Sequence, residues 1–297
     1  MYWNSLNDRL REQYGTKVYK LALSSGCSCP NRDGTLGNRG CIFCDGAGAF
    51  TAAGEIRPQL IEAKARVAAK AGAEAKYIAY FQSFTNTYGP LERLRSLYTA
   101  AMEPEEIVVL SVATRPDCLG PEILELLSEL NAQKPVWVEL GLQTIHPETA
   151  RYIRRGYELS VYDEAVARLR ERGITVVTHQ ILGLPDETAD MMAETAQYIG
   201  RSGADGVKFH LLHVLEGTDL AADWRAGRFQ TMSLEAYILA LEECVRRIPR
   251  EMVIHRLTGD GAKRDLLAPL WSGDKKRVLN AIHRAFLRDN VEQGSAL

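Results

Sequence analysis

Residues 27–44 read CSCPNRDGTLGNRGCIFC and hold four of the six cysteines of a 297-residue chain. Clustered thiols in a reducing compartment hold metal or do redox chemistry more often than they form disulfides. The spacing leaves two readings open. Cys29, Cys41 and Cys44 alone would bind three irons of a [4Fe–4S] cluster and leave the fourth iron to a substrate, as catalytic metal sites keep one position vacant. With Cys27 added, the pattern C-x-C-x11-C-x2-C suits zinc or a closed electron-transfer cluster. The intervening PNRDGTLGNRG is rich in Gly, Asn and Asp, residues that supply positive-φ turns and backbone N–H groups for a wrap around cluster sulfides.

Outward from this stretch, apolar β-branched runs alternate with helical periodicity. Strands are expected at 17–24, 76–83, 107–114, 136–143, 175–182, 206–213 and 252–257. Segments such as PEILELLSELN (121–131) and SLEAYILALEECVRRI (233–248) supply helical crossovers. A repeated βα pattern with right-handed crossovers gives parallel strands buried on both faces. Six or seven such units fall short of an eight-stranded barrel, so the expected fold is α/β, a partial TIM-like barrel. Residues 1–250 would form it, and a basic helical extension at 251–297 would pack on it. The first residues, MYWNSLNDRLREQYG, carry no leader-like apolar stretch, and no apolar run approaches the length of about 18 residues needed to span a bilayer. A soluble, cytoplasmic protein with no membrane attachment is expected, and the net charge of −2 argues against a globally basic nucleic-acid coat.

Polar residues gather at the C-terminal ends of the strands, where parallel barrels place their functional groups. These are Gln82, Ser83, Thr85, Asn86, Thr114, Arg115, Glu139, Gln143, His179, Lys208, His210, His213 and Arg256. Glu139, Gly141 and Gln143 share one strand face, and the glycine between them leaves room for a ligand.

The cysteine segment resembles that of the radical S-adenosylmethionine (radical SAM) superfamily, whose usual motif is C-x3-C-x-Φ-C with an aromatic before the last cysteine. Phe43 stands at that place, while eleven residues rather than three separate Cys29 from Cys41. The expanded form, CPNRDGT followed by GCIFC, is similar to the YhcC/YtqA-type group, distant relatives of the elongator catalytic subunit. The likeness continues through FQSFTNTYGP, ELGLQT, ILGLP, KFHLLHVLEGT and HRLTGD, from about Tyr14 to Asp260.

The resemblance implies a partial (β/α)6 barrel. It also implies a [4Fe–4S] cluster on Cys29, Cys41 and Cys44 with Cys27 a bystander, and S-adenosylmethionine (SAM) chelated to the open iron and cleaved to a 5′-deoxyadenosyl radical. An electron donor such as flavodoxin or ferredoxin would reduce the cluster. Gln82 and Ser83 stand where the superfamily has Gly-Gly-Glu, and with Thr85 and Asn86 they would bind the methionine end of SAM. Glu139 or Gln143 would reach the ribose, and backbone near Gly183 would flank adenine. Lys208, His179 and His210, with His213 beyond, would face the substrate as candidate catalytic groups. Cys244 reads as core, and Cys118 as a strand-exit thiol.

Residues 246–288 carry eleven Lys/Arg against four Asp/Glu, a net of +7 that leaves −9 for the rest. Arg277, Arg284 and Arg288 fall on one face of the last helix, where they would contact phosphates. With the elongator kinship, this points to tRNA as substrate and to modification of a wobble-uridine side chain. The other readings are a radical SAM enzyme for a small metabolite, and a zinc- or cluster-stabilised RNA-binding protein.

Overall fold

IVVLSVAT, VWVELGLQ and TVVTHQIL are eight-residue runs rich in apolar and β-branched residues, and each becomes a strand over its whole length. The computed structural model describes residues 2–46, 54–72, 74–259, 261 and 263–297; Asp260 lies outside them. In chain order the elements are α1 (Leu6–Tyr14), β1 (Val18–Leu23), α2 (Ile56–Val67), β2 (Lys76–Phe81), α3 (Leu91–Met102), β3 (Ile107–Thr114), α4 (Pro121–Asn131) and β4 (Val136–Gln143). Then follow α5 (Pro147–Tyr152), α6 (Leu159–Arg170), β5 (Thr175–Leu182), α7 (Ala189–Arg201), β6 (Gly206–Leu211), β7 (Val214–Leu215) and α8 (Asp219–Arg225). The last are α9 (Leu234–Arg246), β8 (Val253–Arg256), β9 (Leu266–Ala268) and α10 (Lys275–Arg288).

Seven strands form one parallel sheet in the order β1-β2-β3-β4-β5-β6-β8, the partial TIM-like barrel expected. Its outer face packs under the helices in the main core, which includes Leu21, Phe81, Val112, Leu140 and Phe209. Towards the N-terminal end of the strands the inner face is apolar, and there Ile78, Val109 and Trp137 cluster with Leu10 of α1. That helix, which sequence periodicity did not indicate, is capped by Ser5 and packs against both β1 and β8. The preceding segment bridges to β8, Ile254 N donating to Asn4 O at 2.8 Å. The chain therefore closes the floor of the barrel with its own N-terminus, while the sheet stays open between β1 and β8.

The sheet runs past the boundary expected at residue 250, because β8 pairs in parallel with β6. Beyond it, α10 buries Val278, Ile282, Ala285 and Phe286 and leaves Arg277, Arg284 and Arg288 exposed. Trp3 stacks edge-on against Phe286, so the N-terminal segment and last helix hold each other. A second, smaller core lies at the opposite end of the barrel, under the β7–β9 ribbon, and takes in Ile42 and Phe43 from the cysteine loop. Among the described residues, no helix is long and apolar enough to cross a membrane.

Candidate functional site

The loop after β1 lies over the C-terminal mouth of the barrel and is strapped down by main-chain bonds. Ile42 N donates to Ile153 O at 3.2 Å, and Leu220 N donates to Ile42 O at 3.0 Å. Asn31 Nδ2 donates to Arg154 O at 2.7 Å and approaches Cys41 Sγ at 3.4 Å. Arg32 crosses the loop to donate to Cys44 O at 2.6 Å. Gly40 and Gly46 both have positive φ, and a Cβ on either would stand within 2.8 Å of the Arg32 guanidinium, so one glycine at the end of the insert and one beyond Cys44 make room for that arginine.

Beneath the loop is a cavity of about 250 Å³ bounded by Cys29, Cys41, Cys44 and Phe43 above and by Gln82, Thr85, Glu139, Gln143 and His179 below. Cys27 takes no part in it. Residues two apart share a face only in a regular strand, and residues 24–29 are not one: Gly26 has φ 66°, and Cys27 N donates to Ser25 Oγ. The Cys27 side chain turns into the main core, where a Cβ on Gly89 would stand 3.0 Å from its sulfur.

Several expected site residues lie elsewhere. Asn86 is fully buried and spent on structure: Nδ2 donates to Phe81 O at 3.1 Å and Ala113 O at 2.8 Å, and Oδ1 accepts from Ser25 at 2.7 Å. No polar atom of that side chain remains for a methionine carboxylate. Ser83 is buried and outside the cavity lining. Gly183 packs against Met232 in a separate surface groove, away from the cavity that would hold adenine. Lys208 and His210 face the barrel interior but do not border the cavity.

In turn, the cavity wall contains Arg32, Phe84, Arg155 and Tyr157, which sequence reasoning passed over, and Arg115, which it placed only in the polar ring. Arg115 grips Asp117 bidentately at 2.9 and 2.7 Å and donates to Arg155 O at 2.8 Å. Arg155 in turn donates to Thr144 O and Tyr157 O, locking the loop after β4. Phe84 has φ 60° and Gln143 φ 70°, strained conformations held at the mouth of the barrel, as functional sites often hold them. Cys118, at the edge of this group, has its thiol pushed up to about 12 by burial and the nearby Asp117 carboxylate, so it stays protonated. Cys244 is buried in the main core.

Between the cavity and the apolar floor lies a polar layer centred on Glu139, whose side chain is wholly buried. One carboxylate oxygen accepts from Ser111 Oγ at 2.9 Å and Lys20 Nζ at 3.3 Å. The other accepts from His179 Nε2 at 2.7 Å and from Lys208 Nζ, which also donates to Tyr80 OH at 3.0 Å. Four donors fill the carboxylate, which leaves no free acceptor there for a ribose hydroxyl. Burial alone would raise the Glu139 pKa, but Lys20 and Lys208, with His179, hold it well below the ordinary carboxylate range. His179 is pushed down to about 4 by burial and by Lys208. It is therefore neutral near pH 7, with Nε2–H given to Glu139.

Burial also carries His210 and His255 well below the usual histidine value, with Arg256 adding to it at His210 and Lys20 at His255. Groups that must charge on unfolding make the unfolded chain bind more protons, so stability rises with pH across their window. Urea midpoints should therefore fall as pH drops from about 6.5 towards 4, and His179→Gln should flatten part of that slope. Equal slopes in the two proteins would place the acid sensitivity elsewhere.

The donor set can be tested against the cofactors that the resemblance implies. All six cysteines are free thiols. A single zinc ion needs ligands about 2.0–2.3 Å from one point; among the described residues no three His, Cys, Asp or Glu converge so closely. Three soft thiolate donors spread around one cavity suit a larger iron–sulfur cluster, which Cys29, Cys41 and Cys44 would hold. Phe43, Gln82, Thr85 and Gln143 then border the remaining space.

Comparison with known proteins gives the family. The profile described as "Radical SAM superfamily" matches residues 34–199, and that described as "Radical_SAM C-terminal domain" matches residues 204–288. The chain is 42% identical to "Uncharacterized protein YtqA" of Bacillus subtilis (strain 168), covering 98% of this chain and 92% of that one. It is 29% identical over 144 residues to the tRNA uridine(34) acetyltransferase of Dehalococcoides mccartyi, covering 48% of this chain and 30% of that protein. The solved structure of archaeal Methanocaldococcus infernus Elp3 with an N-terminal deletion superposes with TM-score 0.69 at 17% identity, over 93% of this chain and 64% of that one, which shows a shared fold.

Proposed function

Because this chain belongs to the radical SAM superfamily, in the group typified by YtqA and YhcC, we propose that Cys29, Cys41 and Cys44 hold its [4Fe–4S] cluster and that its substrate is a tRNA wobble uridine. The observation that carries the first half is the division of the thiols, three on the cavity and Cys27 in the core. What the cofactors supply when bound is reductive cleavage of SAM and a carbon radical that takes a hydrogen atom from substrate; the chemistry is theirs and the barrel orients it. Phe43 and Ile42, seated in the second core, fix the loop that presents the thiols. Gln82, Thr85 and Gln143 offer polar groups to the methionine and ribose of SAM, and Arg115 and Arg155 keep that wall rigid. Neutral His179 orders the floor through Glu139. An electron carrier such as flavodoxin or ferredoxin would reduce the cluster.

Support for the tRNA half is the partial likeness to a tRNA uridine(34) acetyltransferase and the exposed arginine face of α10. Lysine and arginine contacts to phosphate bind RNA without reading sequence. Anaerobic reconstitution with iron and sulfide should give a brown protein that forms 5′-deoxyadenosine from SAM under dithionite. Zinc as the sole bound metal would sink the cluster assignment. Nucleoside mass spectrometry of tRNA from cells with and without the protein should differ at one modified uridine; identical profiles would rule out the tRNA substrate.

A further inference from the structure

Among the described residues, the polar layer inside the barrel carries more basic than acidic groups. Three basic side chains enter it: Lys20 from β1, Lys208 from β6 and Arg256 from β8. One carboxylate, Glu139, meets both lysines. Among the described residues, Arg256 has no carboxylate partner; its guanidinium packs on His210, and its Nε is buried without a hydrogen bond. Arg256 is part-buried, and its shielded Nε has neither water nor a counter-charge to replace its lost hydration. His179, His210 and His255 surround the group, and burial next to this positive field holds them neutral, so they add no further positive charge, and an imidazole carries no negative one.

The placement of the three basic groups is equally specific. Lys208 and Arg256 are neighbours in register on β6 and β8, and Lys20 stands on β1, the other edge of the open sheet. The Lys20 side chain is 27% exposed while that of Lys208 is 4% exposed, so the group reaches from the open seam to the interior. Glu139 and His179 belong both to this layer and to the wall of the thiol cavity.

We infer that Lys20, Lys208 and Arg256 form a binding site for an oxyanion of the substrate, a phosphate or a carboxylate, which enters between β1 and β8 and anchors the substrate beneath the cofactor cavity. The inference rests on the proposed function for the word substrate only; the anion site is a property of the chain itself. Two amines and a planar guanidinium in one layer of the barrel suit a phosphate best, arginine being fitted to bidentate contact.

The test uses the full-length protein without cluster. Its melting temperature is measured in sodium phosphate, in sodium acetate and in sodium chloride of equal ionic strength, and calorimetry compares uridine 5′-monophosphate with uridine. Phosphate should raise the melting temperature above chloride, and the monophosphate should bind at least tenfold tighter than the nucleoside. Arg256→Gln should remove both effects, with Arg256→Lys intermediate. A shift with acetate and none with phosphate would assign the site to a carboxylate. Equal melting in all three salts with equal binding of both probes would overturn the inference. So would loss of the phosphate effect in a variant with Arg277, Arg284 and Arg288 changed to Gln while Arg256→Gln retains it, since the anion would then sit on α10. Protein that loads iron and cleaves SAM yet shows no anion preference would lose this site and keep the proposed function; the opposite result would do the reverse.

Discussion

Alanine in place of Cys29, Cys41 or Cys44 is expected to abolish cluster loading and reduce 5′-deoxyadenosine formation to background, while Cys27→Ala should load iron as the parent protein does. Loss of a thiolate ligand removes a bond to the metal, so the effect should exceed the roughly 10–100-fold typical of changes to groups that only orient ligands. Cys27 shares the same eighteen-residue stretch, but its sulfur is packed in the main core against Gly89. Its replacement removes one buried sulfur and should cost about 1 kcal/mol of stability. Iron and sulfide content, the visible spectrum and product formation would be measured on all four variants under the same anaerobic protocol. Iron loss with Cys27→Ala as severe as with Cys41→Ala would mean a four-thiolate centre and no open iron.

The strands were legible because parallel strands buried on both faces must be apolar and branched, and such runs have little other use. Strands β3, β4 and β5 run over the residues that the pattern marked. The N-terminal helix was not legible: LNDRLREQY places Leu6, Leu10 and Tyr14 on one face among polar residues, too few to signal a helix. It forms because the barrel floor needs a plug, a tertiary demand. Helix α2 starts at Ile56 because Ile56, Gln59, Leu60 and Ala63 are the residues it buries.

In the site, the spacing of the cysteines left two ligand sets open and only the family resemblance chose between them, while Asn86 misled. Its place at a strand exit suggested a ligand, but an amide there serves equally well to tie Phe81 O to Ala113 O, and only coordinates separate the two uses. Arg32 was hidden for the opposite reason. It lies inside the glycine-rich insert, and its role depends on two glycines eight and fourteen residues ahead that clear its path.

Glu139→Gln should have the largest effect on stability of any single change inside the barrel. The carboxylate is the sole acidic partner of Lys20 and Lys208 among the described residues. Removing one member of a buried charge network leaves the others uncompensated and costs about 3–5 kcal/mol. Lys208→Met should cost less, because Lys20, Ser111 and His179 still satisfy Glu139. The double variant should regain part of the Glu139→Gln loss, since the lysine left stranded is gone as well. The pH dependence has a fixed sign. With the folded pKa of Glu139 held below its unfolded value, the carboxylate's contribution is full above the unfolded value and lost as pH falls through the folded one. The parent protein should thus lose stability on acidification, and Glu139→Gln should lose less. Denaturant titrations at pH 7.5 and at about pH 3, below the unfolded value of a glutamate, on the parent, both single variants and the double would read all three effects. A double variant no more stable than Glu139→Gln would show that Lys208 draws its cost from Tyr80 and the surrounding dipoles, leaving Lys20 as the partner that matters to Glu139.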